Sequence, residues 1–172
     1  MIKKFYLIFF LILTSANAYS SEKIITVDID YIINTSKAGI YIQDQLNVKN
    51  DNRVKKLEIK NKELSNKEKN LIAKKNVLSE KDFENEVNIL KKEIRDFNNN
   101  NKKIIQEINQ KRSEAFSKLI KEVNKILIEY SKKNEVLMIL DKKNLLLSKN
   151  DIDVTQEILD QLNNKLTKIS ID

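Results

Sequence analysis

In 172 residues this chain has one glycine, Gly39, and no proline. Tight turns draw on those two residues for positive or preset φ. A chain that nearly lacks them reverses direction rarely and runs in long elements. Charged residues make up 33% of the sequence and aromatics 6%, with no Trp, so there is little material for one large core. Long helices suit such a composition. Gly39 is expected at a bend or helix end that needs positive φ.

The opening MIKKFYLIFFLILTSANAYS has Lys3 and Lys4, an apolar run from Phe5 to Leu13, and then Ala16-Asn17-Ala18. A basic start, an apolar run too short to span a membrane and a small-residue site form a secretory signal over residues 1–18, cut between Ala18 and Tyr19. Cleavage removes two lysines from a formal net charge of +7, leaving a mildly basic chain. No Cys follows the run, which excludes a lipid anchor there. Without Cys an exported chain has no disulfides, and without Cys or His the softer metal ligands are missing. No cofactor or metal is expected, and stability must come from packing, in part between chains.

In KIITVDID, Ile25, Val27 and Ile29 alternate with Thr26, Asp28 and Asp30, the period of a half-buried strand. Asp30 is placed to cap a short helical turn, YIINTS. From Ile40 onward the composition is helical, and Leu57, Leu64, Leu71 and Leu78 recur at seven-residue intervals, a coiled-coil seam. A second seam follows through Phe83, Val87, Leu90, Ile94, Phe97, Asn101, Ile104 and Ile108. It continues after a stutter at Arg112 through Phe116, Leu119, Val123, Ile126 and Tyr130.

An antiparallel helical hairpin matches residues whose numbers have a constant sum. Leu78 with Phe83, Leu71 with Leu90, Leu64 with Phe97 and Leu57 with Ile104 satisfy that rule and put the reversal between Glu80 and Lys81. Ser79 and Asp82 independently form a capping pattern at the same place. The matching sets Lys60, Lys67 and Lys74 opposite Asn101, Ile94 and Val87, so lysine stems fill half of one seam and the arm should be thinly packed. About forty residues per side give an arm of about 60 Å.

Beyond Tyr130, VLMILDKKNLLL reads as a β-hairpin, with Val136, Leu137 and Ile139 before the turn and Leu145 and Leu147 after it. Asp153 and Gln156 then form a capping box for a last helix with Val154, Ile158, Leu159, Leu162 and Leu166 on its apolar side. The helical hairpin returns the two chain ends to one place, where their strands can share a sheet. So small a core rarely folds alone, so several bases are expected to pool. The expected fold is α+β, mostly α, with a small β body formed by oligomerisation and one long antiparallel helical-hairpin arm per protomer. The body comprises residues 19–36 and 132–172, built on Ile25, Val27, Ile29, Val136, Leu137, Ile139, Leu145 and Leu147. The arm comprises residues 37–131, with its tip near 79–82.

The signal, KIITVDIDYIINTSKAG, the lysine-rich hairpin with LSEKDF at its tip and VLMILDKKNLLLSKNDIDVTQEIL together resemble the Skp/OmpH family of periplasmic chaperones over essentially the whole mature chain. The resemblance implies a periplasmic homotrimer with a central β body and three arms around a cavity. It also implies that unfolded outer-membrane proteins are held in that cavity without ATP and kept soluble for delivery to the outer membrane. The sequence is rich in Lys, Asn and Ile and poor in Arg, so contact positions on the arms do not carry over residue by residue.

With no His or Cys there is no catalytic triad, and one glycine makes no phosphate loop, so the chain is not expected to be an enzyme. Loose holding of unfolded chains asks for many weak contacts that add up. On the arm, Val87, Ile94 and Phe97 are candidates to touch client side chains, and Lys60, Lys67 and Lys74 to attract acidic segments; a membrane surface or lipid is a further candidate partner of the arms. Modest net charge and only three arginines argue against nucleic acid. The alternative reading is a coiled-coil spacer of the cell envelope.

Overall fold

The computed structural model describes residues 23–171. The signal sequence and its Ala18/Tyr19 cleavage site lie outside the described residues. The elements run β1 (Lys23–Val27), α1 (Ile29–Thr35), α2 (Lys37–Ala73), α3 (Glu80–Lys133), β2 (Val136–Asp141), two short 3₁₀ turns (Lys142–Asn144 and Asn150–Ile152) and α4 (Thr155–Lys165). Helices of 37 and 54 residues are what a chain without proline and almost without glycine should form. The stutter at Arg112 leaves α3 unbroken.

Each helix start has a local cause. Asp28 caps α1 by accepting a hydrogen bond from the Tyr31 amide at 2.8 Å. Asp30, expected to be the cap, sits inside the first turn, because the strand ends at Val27, two residues before Ile29, where its alternation was expected to run. Buried Ser36 serves two helices: its amide donates to the Ile32 carbonyl at the end of α1, and its Oγ accepts from the Gly39 amide at the start of α2. Ser79 caps α3 through the Asp82 amide, as the sequence pattern indicated. Acidic Glu80 and Asp82 at its start and Lys132 and Lys133 at its end complement the helix dipole.

Gly39 does not have positive φ. It lies within the first turn of α2, where a Cβ would fall 1.8 Å from the Ile33 carbonyl oxygen, so close approach of two backbones, not turn geometry, requires glycine there. Positive φ occurs instead at Glu135, φ 52°, in the turn between α3 and β2.

α2 and α3 pack antiparallel and reverse over residues 74–79, a little before the expected 79–82. Ser79 must be extended to cap α3 (φ −62°, ψ 153°), so α2 has to end before it, although the leucine heptad runs on through Leu78. Closing two antiparallel helices takes several residues out of helix. Leu71 and Leu90 line one groove, and Leu57 lines another with both Phe97 and Ile104. Arg53, not Lys60, reaches Asn101.

At the base, β1 and β2 pair in parallel, Ile25 opposite Ile139 and Thr26 opposite Leu140, and the whole helical hairpin serves as their crossover. The expected β-hairpin at 136–147 does not form. After Asp141 the chain enters a 3₁₀ turn capped by the Asp141 side chain, and Leu145 to Leu147 leave without a strand partner. The Asp141 cap turns the chain into that 3₁₀ turn instead of back along β2, and on the other side of β1 Thr26 bridges Asp153 while its carbonyl accepts from the Val154 amide. Thr26 is consequently fully buried, against the half-buried expectation for β1.

The last helix begins at Thr155 and buries Ile158, Leu159 and Leu162, as its pattern indicated. No capping box forms. Asp153 accepts from the Thr155 amide and holds the Lys142 ammonium at 2.7 Å, while Gln156 turns forward to Asp160. Beyond α4 the tail crosses α2: the Gln45 amide donates to the Ile169 carbonyl and its oxygen accepts from the Ile171 amide, with Ile171 buried. The core thus joins β1 and α1, the first turns of α2 to Leu46, α3 from Ala115 to Tyr130, α4 and the tail.

Candidate binding surface of the arm

Away from the base, the arm has little interior. Between Leu46 and Ala115 the only buried hydrophobic residue among those described is Leu64. Leu57, Leu71, Phe83, Val87, Leu90 and Phe97 are half-buried along the contact between α2 and α3. Val48, Ile59, Ile72, Val77 and Ile89 are exposed, Val77 to 83%. Helix faces of this kind neither close into a core nor exclude a further chain, and a long row of weak apolar contacts is open to solvent.

The lysines singled out in the sequence occupy defined places. The Lys60 ammonium lies 2.9 Å from Glu63 and 2.7 Å from Glu93, and that of Lys67 lies 2.9 Å from Glu63 and 2.8 Å from Glu93. Hydrogen bonds from Lys60 and then Lys67 hold the Glu63 and Glu93 carboxyls below the usual carboxylate range. The hydrogen bonds that both lysines donate to Glu93 and then to Glu63 raise them above theirs. Two acids and two bases thus tie the helices together across the seam. By sequence these lysines are stems that fill the seam and cations for acidic segments; their partners Glu63 and Glu93 are signalled only by opposite charges on facing helix flanks.

Lys74 ends α2 and lines a shallow groove with Asn70, Leu71, Glu86, Ile89 and Leu90. Ile94 is 36% exposed, turned off the seam beside Lys91 and Arg95, while Glu93 takes the half-buried position next to it. Phe97 faces inward, on the wall of a cavity of about 350 Å³ between the two helices in the middle of the arm. Of the six proposed client contacts, Lys60 and Lys67 are thus internally paired, Val87 and Phe97 are half-buried and Ile94 is open.

On the body, Ile25 and Val27 are buried in the protomer's own core, and Ile29, Val136 and Ile139 pack partly against it. Leu145 is half-buried, whereas Leu137 is 57% and Leu147 91% exposed. Ile24, Met138 and Leu146 are exposed as well. These last three were not among the residues expected to build the body. Tyr130, which it placed on the helix seam, also donates to Glu157 at 3.0 Å, tying α3 to α4. Burial and then that hydrogen bond raise its hydroxyl pKa.

A small β base that carries a long, thinly packed helical hairpin defines a class of arm-bearing proteins. The chain matches the family model for OmpH-like outer membrane proteins over residues 23–162, and it belongs to that family. In fold it is similar to a crystal structure of a candidate OmpH-like outer membrane chaperone from Caulobacter crescentus CB15. That match has a TM-score of 0.81 and 17% identity, and covers 87% of this chain and 88% of the other. No curated protein sequence matches the chain significantly.

Proposed function

We propose that the mature chain is a periplasmic, ATP-independent holdase that binds unfolded outer-membrane proteins between the helical arms of a homotrimer and keeps them soluble for delivery to the outer membrane. Membership of the OmpH-like family supports the chaperone class, the periplasmic setting and the lack of enzymatic activity. The observation that carries the reading is the arm itself, in which Leu64 alone is buried between Leu46 and Ala115 while a row of apolar side chains stays open. Many weak, sequence-tolerant contacts on several arms add up to firm retention, and each can be released separately.

The trimer reading is supported by apolar residues that the single chain leaves uncovered at its base, Ile24, Leu137, Met138, Leu146 and Leu147. The body from residues 19–36 and 132–172 would meet its copies there, with the arm of residues 37–131 projecting away. The test uses residues 19–172. Their mass in solution should be three times that of the chain, and they should keep an unfolded outer-membrane protein from aggregating without nucleotide. An envelope spacer would leave the client to aggregate, and that result would remove the chaperone reading.

A further inference from the structure

The two grooves between the arm helices differ in charge: the one nearer the tip is lined by Lys67, Lys74, Glu86 and Glu93. Toward the tip, Lys60 and Lys67 are neutralised by Glu63 and Glu93. Toward the body, Lys49, Arg53, Lys56 and Lys111 surround the mid-arm cavity, and among the described residues none of the four forms an ion pair. Arg53 donates only to the neutral amide oxygens of Asn50 and Asn101. Glu107 is the one carboxylate at the rim. The cavity is walled by Leu57, Phe97, Ile104 and Ile108.

We propose that this mid-arm groove docks acidic-apolar segments of unfolded polypeptide, seating an aromatic or branched aliphatic side chain against Phe97 and Ile104 while neighbouring carboxylates meet the rim cations. The proposal rests on the holdase reading and assigns it a site. A volume of about 350 Å³ has room for a large side chain and part of its neighbours. From Phe97 to Ile108 the wall extends about 16 Å along α3, the length of about five extended residues. The cations are spread along that length on both helices. This arrangement matches carboxylates alternating along a chain better than it matches an amphiphile, which carries one charged head on an apolar tail. The unpaired rim charges attract without demanding a particular sequence, and the apolar wall adds the contact that charge alone lacks.

The test uses the full mature chain and a short fluorescein-labelled peptide in which Asp alternates with Phe and Leu. Because the chain has no Cys, an Asn52→Cys variant carries an environment-sensitive dye at the groove and a Lys69→Cys variant carries one away from it. The peptide should change the emission of the dye at position 52 and not of that at 69. The triple reversal K49E/K56E/K111E should weaken peptide binding about tenfold at low ionic strength, whereas K62E/K69E/K75E, of equal charge change, should alter it less than about twofold. Equal weakening by both triples would reduce the effect to overall charge and overturn the site. So would a dye response to laurate but not to the peptide, which would make the groove a lipid site. If the wild-type chain keeps clients soluble but does not bind the peptide, the groove is refuted and the chaperone reading survives. If it binds the peptide but keeps no client soluble, the groove stands and that reading falls.

Discussion

Thr26 and Gly39 show how far single positions depend on what surrounds them. Thr26 lies in the middle of β1, fully buried, and its hydroxyl is the one buried side-chain polar atom among the described residues without a hydrogen-bond partner. An unsatisfied buried hydroxyl costs free energy that an isosteric methyl does not. Thr26→Val should therefore stabilise the chain by about 1 kcal/mol, seen as a higher midpoint in chemical denaturation. A lower midpoint would mean that the hydroxyl has a partner in the assembly. Gly39 is the opposite case. A methyl group there must displace the Ile33 backbone at the junction of α1 and α2. Gly39→Ala, normally favourable inside a helix, should instead cost about 3 kcal/mol. A melting temperature equal to that of the wild type would show that the junction can relax.

At the level of elements, the arm is one long contact with few anchors, and the Lys60–Glu63–Lys67–Glu93 cluster is the ionic one among the described residues. Its carboxyls titrate below their unfolded values, so their contribution is full above the ordinary carboxylate range and disappears as pH falls through the depressed folded values. Its lysines titrate above theirs, so their contribution is full below the ordinary lysine value and disappears as pH rises through the raised one. Protection of arm amides against hydrogen exchange should accordingly be greatest near neutral pH, compared at matched intrinsic exchange rates, and lower near pH 3. Glu93→Gln should remove much of the acid-side loss, and added salt should flatten the profile. An acid-side profile unchanged by Glu93→Gln would show that these pairs do not hold the arm.

For the whole molecule, the body is the place where one chain stops short of covering itself. Strands β1 and β2 form only a two-stranded sheet among the described residues, and Leu137 and Met138 face outward from it. In a lone protomer, lysine at these exposed sites would change stability little. In an assembly that buries them, it would introduce unpaired charges at the contact. If the chain assembles as the proposed trimer through these sites, L137K/M138K should convert it to a species of monomer mass in sedimentation, and an unchanged mass three times that of the chain would place the contact elsewhere. Loss of the trimer should also abolish client holding, because a single arm encloses nothing.

The long helices, the single reversal, the Ser79 cap and the apolar face of α4 were all legible from the residues. Each depends on neighbours within a few turns: an absence of helix breakers, a heptad, a cap or a period of 3.6. The β-hairpin, the role of Gly39, the cap of α1, the burial of Thr26 and the strap formed by Gln45 and Ile171 were decided only in three dimensions. In these cases, two segments more than a hundred residues apart, or two backbones in close approach, compete for the same space. Local preference among apolar residues in strands does not say which segments pair, because the partner of β2 is a strand more than a hundred residues away in sequence. The same holds for charge on the arm. The composition shows an excess of lysine, but only the packing of α2 against α3 separates the lysines that carboxylates satisfy from those left open around an apolar groove.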